Sequence, residues 1–314
     1  MRRREGPRLS LATRLVRYAP SIRRAHAQYA TGPATRAAMT ALRAGPPTYA
    51  PPARLSWRVN VVAGVSPDGW PVYEIGPRGG RTSGHLVFLH GGAYFRELRT
   101  WHWWFVERLV RETALTVLVP IYPLAPVGTA DTVVPAVTDL LRDVLRHPGR
   151  SVFVGGDSAG AGMALAVAQE LARSDARALA GLVLISPWVD VSCDDPGVAA
   201  RANLDPWLQA PGLREAGNAY RGALSVDHPW VSPIHGDPGD LPPVLVLSGT
   251  HDILNADAHR LVDAVVLAGG DVELVEGLGL IHDYPLHPTP EGRRARARIA
   301  RWLCDRLTSD VTES

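Results

Sequence analysis

The chain has 314 residues, 46% of them hydrophobic and 20% charged, with a formal net charge of +2. That length suits one large α/β domain or two smaller ones, and the near-neutral balance gives no footing for nucleic-acid binding. All 33 basic residues are arginine, which excludes lysine-based covalent chemistry, and two distant cysteines, Cys193 and Cys304, exclude a disulfide framework and a metal knuckle.

No apolar run approaches the roughly 18 residues of a membrane span, so no stable membrane insertion is expected. The start, Met1-Arg2-Arg3-Arg4-Glu5, is basic and lacks the apolar core and cleavage site of a signal peptide. With so few cysteines this reads as a cytoplasmic protein. Residues 8–44 read as one or two helices, broken at Pro20. Leu9, Leu11, Leu15, Val16 and Tyr18 alternate there with arginines. We read this segment as a solvated helix folding over the body, ahead of the alternative that it touches a membrane surface. Residues 45–52 are proline-rich and stiff.

From Ser56 the pattern turns to strands. Residues 57–62 and 70–75 flank Pro67-Asp68-Gly69 and predict a hairpin. Continuous apolar strands follow at 85–89, 116–122, 151–155, 181–186, 243–248 and 271–275. Helices are expected between them at 101–113, 131–146, 159–173 and 256–268, and a last one at 290–307. Uniformly apolar strands alternating with helices imply an α/β fold with a mostly parallel sheet covered on both faces. Residues 187–242 break this rhythm: they carry no clean strand, three tryptophans and many Pro and Gly, and read as an insertion.

The chemistry centres on residues 151–162. A β-branched and aromatic run ends in Gly155-Gly156-Asp157-Ser158-Ala159-Gly160, then continues as a good helix former. Ser158 thus sits where a buried strand turns into a helix, in a Gly-x-Ser-x-Gly turn that lifts its hydroxyl above the sheet. A serine hydroxyl needs a base, and the base an orienting acid. Asp252 ends the strand at 243–248, and His282 lies in the loop after the last strand, giving the chain order Ser, acid, His. Asp257 lies more than a turn along the next helix, and Asp283 follows His282 too directly to orient its ring. His251 and His259 are placed at or inside the helix after the acid, and His228, His235 and His287 in loops. Leu89-His90-Gly91-Gly92-Ala93-Tyr94 follows another strand. The amides of Gly92 and Ala93, with that of Ala159, are the best donors to an oxyanion; Gly91 shapes the turn and belongs to the same hole. His90 is expected to hold the loop by a side-chain hydrogen bond. Tyr94, Trp188 and Trp207 are expected to contact substrate. No His/Cys/Asp cluster has metal-ligand spacing.

Over about residues 50–310 the chain resembles the hormone-sensitive-lipase-like carboxylesterases of the α/β-hydrolases (α/β-hydrolase fold-3). The resemblance rests on His90-Gly91-Gly92-Ala93, Tyr122-Pro123-Leu124-Ala125-Pro126, Gly156-Asp157-Ser158-Ala159-Gly160, Asp252-Ile253-Leu254 and Gly279-Leu280-Ile281-His282-Asp283-Tyr284. It implies a sheet of about eight strands and no cofactor. It also implies a helical cap from residues 1–48 and the 188–235 insertion, over a catalytic body of 49–187 and 236–310, with a 311–314 tail. The usual third glycine is Ala93, and a frequent glutamate is Val127. The expected activity is hydrolysis of short- to medium-chain acyl or acetyl esters of an apolar alcohol, a small-molecule substrate. An amidase, deacetylase or lactonase would use the same groups, a non-catalytic binding protein would lack one of them, and a homodimer is compatible with the chain.

Overall fold

The structure is a computed structural model describing residues 1–5, 9–146, 150–174 and 179–309. Residues 311–314, read as a tail, lie outside the described residues. Three helices open the chain, α1 (Leu11–Val16), α2 (Pro20–Tyr29) and α3 (Gly32–Arg43). Pro20 starts α2, where its missing N–H leaves no bond unmade. Thr31 ends the run after α2 by capping α3, its hydroxyl accepting from the Ala34 amide at 3.2 Å.

The body alternates strands and helices: β2 (Asn60–Val65), β3 (Pro71–Gly76), β4 (Gly84–Leu89), α4 (Thr100–Thr113), β5 (Thr116–Pro120), α5 (Ala130–Leu145), β6 (Ser151–Asp157), α6 (Ser158–Ser174) and β7 (Gly181–Ile185). After the insertion, with α7 (Pro196–Arg201) and α8 (Ala210–Tyr220), come β8 (Val244–His251), α9 (Asn255–Leu267), β9 (Val272–Ile281) and α10 (Pro290–Ser309). The sheet order is β1-β9-β8-β7-β6-β4-β5-β3-β2, where β1 (Arg2–Glu5) is a short parallel strand added beside β9. Eight strands follow the expected pattern; β1 is an addition, because a run of arginines carries no strand signature. β2 pairs antiparallel with β3, and β3 with β5; the rest of the sheet is parallel.

Side-chain alternation splits the core into two layers. Leu86, Phe88, Phe153, Val183, Ile185, Leu245 and Leu247 face α4 and α10. Val87, Leu89, Val152, Val154, Leu182, Leu184, Val244 and Val246 face α5, α6 and α9. That second layer continues upward without interruption into Tyr29, Ala38 and Met39 of the N-terminal helices and Leu213, Ala216 and Tyr220 of the insertion. Helix α2 ends against α8: a Cβ on Gly212 would lie 2.4 Å from the Tyr29 Cα. Arg36 and Glu215 pair across the same junction at 2.5 Å.

β8 and β9 run further than the apolar pattern indicates. β8 reaches His251, which therefore ends a strand instead of opening a helix, and β9 reaches Ile281. The extension is possible because the ladder slips by a bulge between Gly249 and His251, with Gly279 at φ +72°.

Candidate active site

Ser158 follows β6 directly and opens α6, with φ +52°, a left-handed conformation that a non-glycine residue holds only when its surroundings force it. The forcing contacts are backbone to backbone. A Cβ on Gly156 would lie 2.3 Å from the Leu89 carbonyl oxygen, and one on Gly160 2.1 Å from the same atom. The end of β4 therefore presses on the turn from both sides of the serine. This places Leu89-His90-Gly91-Gly92 beside the N-terminus of a 17-residue helix, whose first amides lack intrahelical partners.

The three distant groups meet. His282 follows β9; its Nε2 lies 2.9 Å from Ser158 Oγ and its Nδ1 2.8 Å from Asp252 Oδ2. Ser158, Asp252 and His282 are all buried. With Nδ1–H donating to the carboxylate, Nε2 is the nitrogen that accepts from the serine. Asp252 is fixed in turn by the Leu254 amide, which donates to Oδ1 at 2.9 Å. Burial alone would depress the basicity of His282, but the Asp252 carboxylate outweighs it and raises the imidazole above its ordinary range.

In the loop expected to bind the oxyanion, Gly92, Ala93 and Tyr94 have φ of 128°, 53° and 62°. The turn is closed by the Phe95 and Arg96 amides, both donating to the Gly92 carbonyl. The Gly92 and Ala93 amides have no protein acceptor among the described residues. Gly91 differs from the expectation that it joins the hole. Its N–H donates to Asp157 Oδ1 at 3.0 Å, and a Cβ there would lie 2.2 Å from Asp157 Oδ2. It is a fastening point of the loop, not a free donor. The His90 ring stacks on Tyr122 at 4.5 Å with Nδ1 2.8 Å from the Gly91 oxygen, while the Tyr122 hydroxyl donates to the His90 carbonyl at 2.5 Å. Burial pushes His90 down to about 4, so its ring is neutral.

Two of the three expected substrate contacts are misplaced. Tyr94 and Trp188 are 1% and 0% exposed and do not line the cavity above Ser158. Tyr94 stacks on Tyr220 at 3.5 Å and packs against Trp188 at 5.4 Å, and the Trp188 indole N–H donates to the Asp190 carbonyl. The left-handed turn at Ala93 and Tyr94 swings the phenol beneath the loop, into the core. Trp207 does line the cavity, edge-on to the His282 ring at 5.5 Å and stacked on His287 at 5.9 Å. The cavity has a volume of about 300 Å³. Its walls come from Val16, Ala19, Ile22, Ala25 and Tyr29 of the N-terminal segment and from Leu208 and Leu213 of the insertion.

Several residues that matter here carry no local signature. Asp157 joins the Gly91 amide to His102: His102 Nδ1 accepts from the Arg99 amide at 2.9 Å, so Nε2–H donates to Asp157 Oδ2 at 3.1 Å. Burial would raise the Asp157 carboxyl, but these donors hold it below its usual range. Asp205 bridges the insertion to the acid's loop. It accepts from the amides of Trp207 at 2.7 Å, Leu208 at 2.9 Å and Ile253 at 3.0 Å. Burial and the neighbouring Asp252 push it up to about 7. Asp283, left-handed at φ +53°, donates its amide to Ser186 Oγ at 3.0 Å and sets Oδ2 3.2 Å from His282 Nε2. Burial pushes its carboxyl well above the usual carboxylate range. Among the described residues no group of three His, Cys, Asp or Glu is placed to hold a metal ion.

A triacylglycerol lipase of Mycobacterium tuberculosis is 35% identical over 238 residues, covering 75% of this chain and 49% of the lipase; the chain thus spans about half of that relative. An acetyl-hydrolase of Streptomyces hygroscopicus is 34% identical over 221 residues, 69% of this chain and 73% of the relative. Among solved structures, an esterase/lipase from an uncultured bacterium superposes with a TM-score of 0.73 at 24% identity, covering 87% of this chain and 98% of that one. A hormone-sensitive lipase from a metagenome library gives 0.75 at 22%, over 88% and 92%. At these identities the structural likeness concerns the fold. The model of the alpha/beta hydrolase fold matches residues 86–286, a span that takes in Gly92, Ser158, Asp252 and His282, and on that match the chain belongs to this family.

Proposed function

We propose that the chain is a carboxylester hydrolase acting on short- to medium-chain acyl or acetyl esters of apolar alcohols. The observation that carries this reading is the continuous path Asp252 Oδ2, His282, Ser158 Oγ, with contacts of 2.8 and 2.9 Å, at the floor of a largely apolar cavity. The names of the lipase and acetyl-hydrolase relatives support it.

In the reaction Ser158 Oγ attacks the ester carbonyl carbon while its proton passes to His282 Nε2. The new alkoxide receives the N–H groups of Gly92, Ala93 and Ala159, and Asp252 stabilises the imidazolium through Nδ1–H. The bond to the alcohol oxygen breaks as Nε2 returns the proton to the leaving group. Water then attacks the acyl-serine with Nε2 as base, releasing the acid. Each missing oxyanion donor typically costs about 3 kcal/mol in the transition state. The N-terminal helices and the 188–235 insertion act as the cap that limits acyl length. Under this reading Ser158→Ala abolishes hydrolysis of p-nitrophenyl acetate and butyrate without loss of fold, and a fluorophosphonate labels Ser158 alone. Turnover retained by the alanine variant defeats the assignment, and matched anilides cleaved as fast as the esters replace it with an amidase.

A further inference from the structure

The first helix is oriented unlike a water-facing element of a soluble body. Its inward side is polar: Thr13 is buried, with its hydroxyl donating to Glu291 Oε2 at 2.6 Å, and Ser10 Oγ donates to the same oxygen at 2.7 Å. Val16 turns toward the cavity over Ser158. Beside Arg14, the solvent side is apolar. Leu11, Leu15 and, in the turn after the helix, Tyr18 are 71%, 59% and 68% exposed. Their spacing of four and then three residues puts them on one face.

The charge of the N-terminal segment itself is one-sided. From residue 9 to residue 67 the chain has no aspartate or glutamate and eight arginines. Arg14 and Arg17 alternate with the apolar side chains, and Arg23 and Arg24 follow in α2. None of these four takes part in an ion pair among the described residues. Arg96 and Arg99 continue the positive charge to the cavity, which the same N-terminal segment walls. Three exposed apolar side chains among uncompensated guanidinium groups match a surface that is anionic outside and apolar beneath.

We propose that α1, Tyr18 and the flanking arginines form a peripheral docking face for anionic bilayers, which sets the mouth of the cavity against the lipid. Docking does not depend on turnover, so the test stands apart from the ester-hydrolysis reading. The full chain is floated with vesicles of phosphatidylcholine alone or mixed with phosphatidylglycerol. The expected result is binding to the anionic vesicles only, released by high salt. Each arginine near the surface contributes roughly fivefold to partitioning. Leu11→Ser/Leu15→Ser lowers partitioning at least about tenfold, with unchanged thermal melting and unchanged hydrolysis of p-nitrophenyl butyrate in vesicle-free buffer. Ser158→Ala binds vesicles as the parent does. Failure of the parent to bind anionic vesicles at low salt overturns the proposal, as does equal binding by the double-serine variant. So does a parent dimer that this variant converts to a monomer in sedimentation velocity, which makes the face a contact between copies.

Discussion

Gly160→Ala isolates the backbone contact that shapes the nucleophile turn. The added Cβ would sit 2.1 Å from the Leu89 oxygen, 2.5 Å from the Leu89 carbonyl carbon and 2.6 Å from the His90 oxygen. A carbon and a carbonyl oxygen rest at about 3.3 Å or more, so β4 and α6 must part by about 1.2 Å. The atoms in the way are backbone, which no rotamer change relieves. Overpacking of this kind costs about 3 kcal/mol, offset by about 1 kcal/mol from the better helix propensity of alanine. A net loss near 2 kcal/mol in a chain of this size lowers Tm by about 3 °C. The functional loss is out of proportion to this. The displaced β4 end carries the Gly92 and Ala93 amides, and the displaced α6 carries Ser158, so a shift of about 1 Å opens the 2.9 Å contact to His282 and lowers kcat/KM about a hundredfold. The assay pairs p-nitrophenyl butyrate kinetics with thermal melting, using Gly79→Ala, which meets no atom within 4 Å, as the control. A folded Gly160→Ala protein with kcat/KM within about threefold of the parent would refute the reasoning.

Asp252→Asn keeps the shape of the acid but removes the charge and the preference for Nδ1–H; kcat is expected to fall about 10⁴-fold, measured with saturating ester. Because Asp252 raises the basicity of His282, the neutral imidazole appears only as pH climbs past a value above the ordinary 6.5. The acid limb of kcat/KM should therefore have its midpoint above 6.5, and a midpoint at or below about 6 contradicts the electrostatic account. Glu291 is nearly buried, and despite that burial its hydrogen bonds from Thr13 and Ser10 lower its carboxyl to about 2. A depressed carboxyl stabilises the fold above its unfolded value, and that contribution is lost as pH falls toward the folded one. The hold on α1 should thus weaken between about pH 4.5 and 2. Glu291→Gln should speed hydrogen exchange of the α1 amides at pH 7, with the difference from the parent shrinking across that acid window.

Much of the architecture is legible because a parallel sheet buried on both faces demands uninterrupted apolar strands, and the six strands read in this way all appear. The serine turn is legible for a related reason: only small residues fit where Gly156 and Gly160 touch the Leu89 carbonyl. Chain order and strand-end position then suffice to select Asp252 and His282, which the structure brings into contact. Position along the chain says nothing about the direction of a side chain inside a left-handed turn, which is why Tyr94 reads as a substrate contact and lies in the core. Asp205 and the Asp157–His102 contact escape notice because each joins residues about fifty positions apart. The outward apolar face of α1 is equally hidden, since the same residues would give the same periodicity if the helix were turned over.

The apolar layer that runs unbroken from the sheet into α3 and α8 bears on how this scaffold can be altered. Tyr94 of the oxyanion loop is stacked on Tyr220 of the insertion, so the roof and the catalytic floor share one set of van der Waals contacts. Swinging the roof aside as a rigid flap would tear that stack apart and expose the core. Under the proposed ester-hydrolase reading, chimaeras that graft a relative's roof onto this body would disturb transition-state stabilisation along with chain-length selectivity, and redesign is better confined to the cavity walls at Ile22, Leu208 and Leu213.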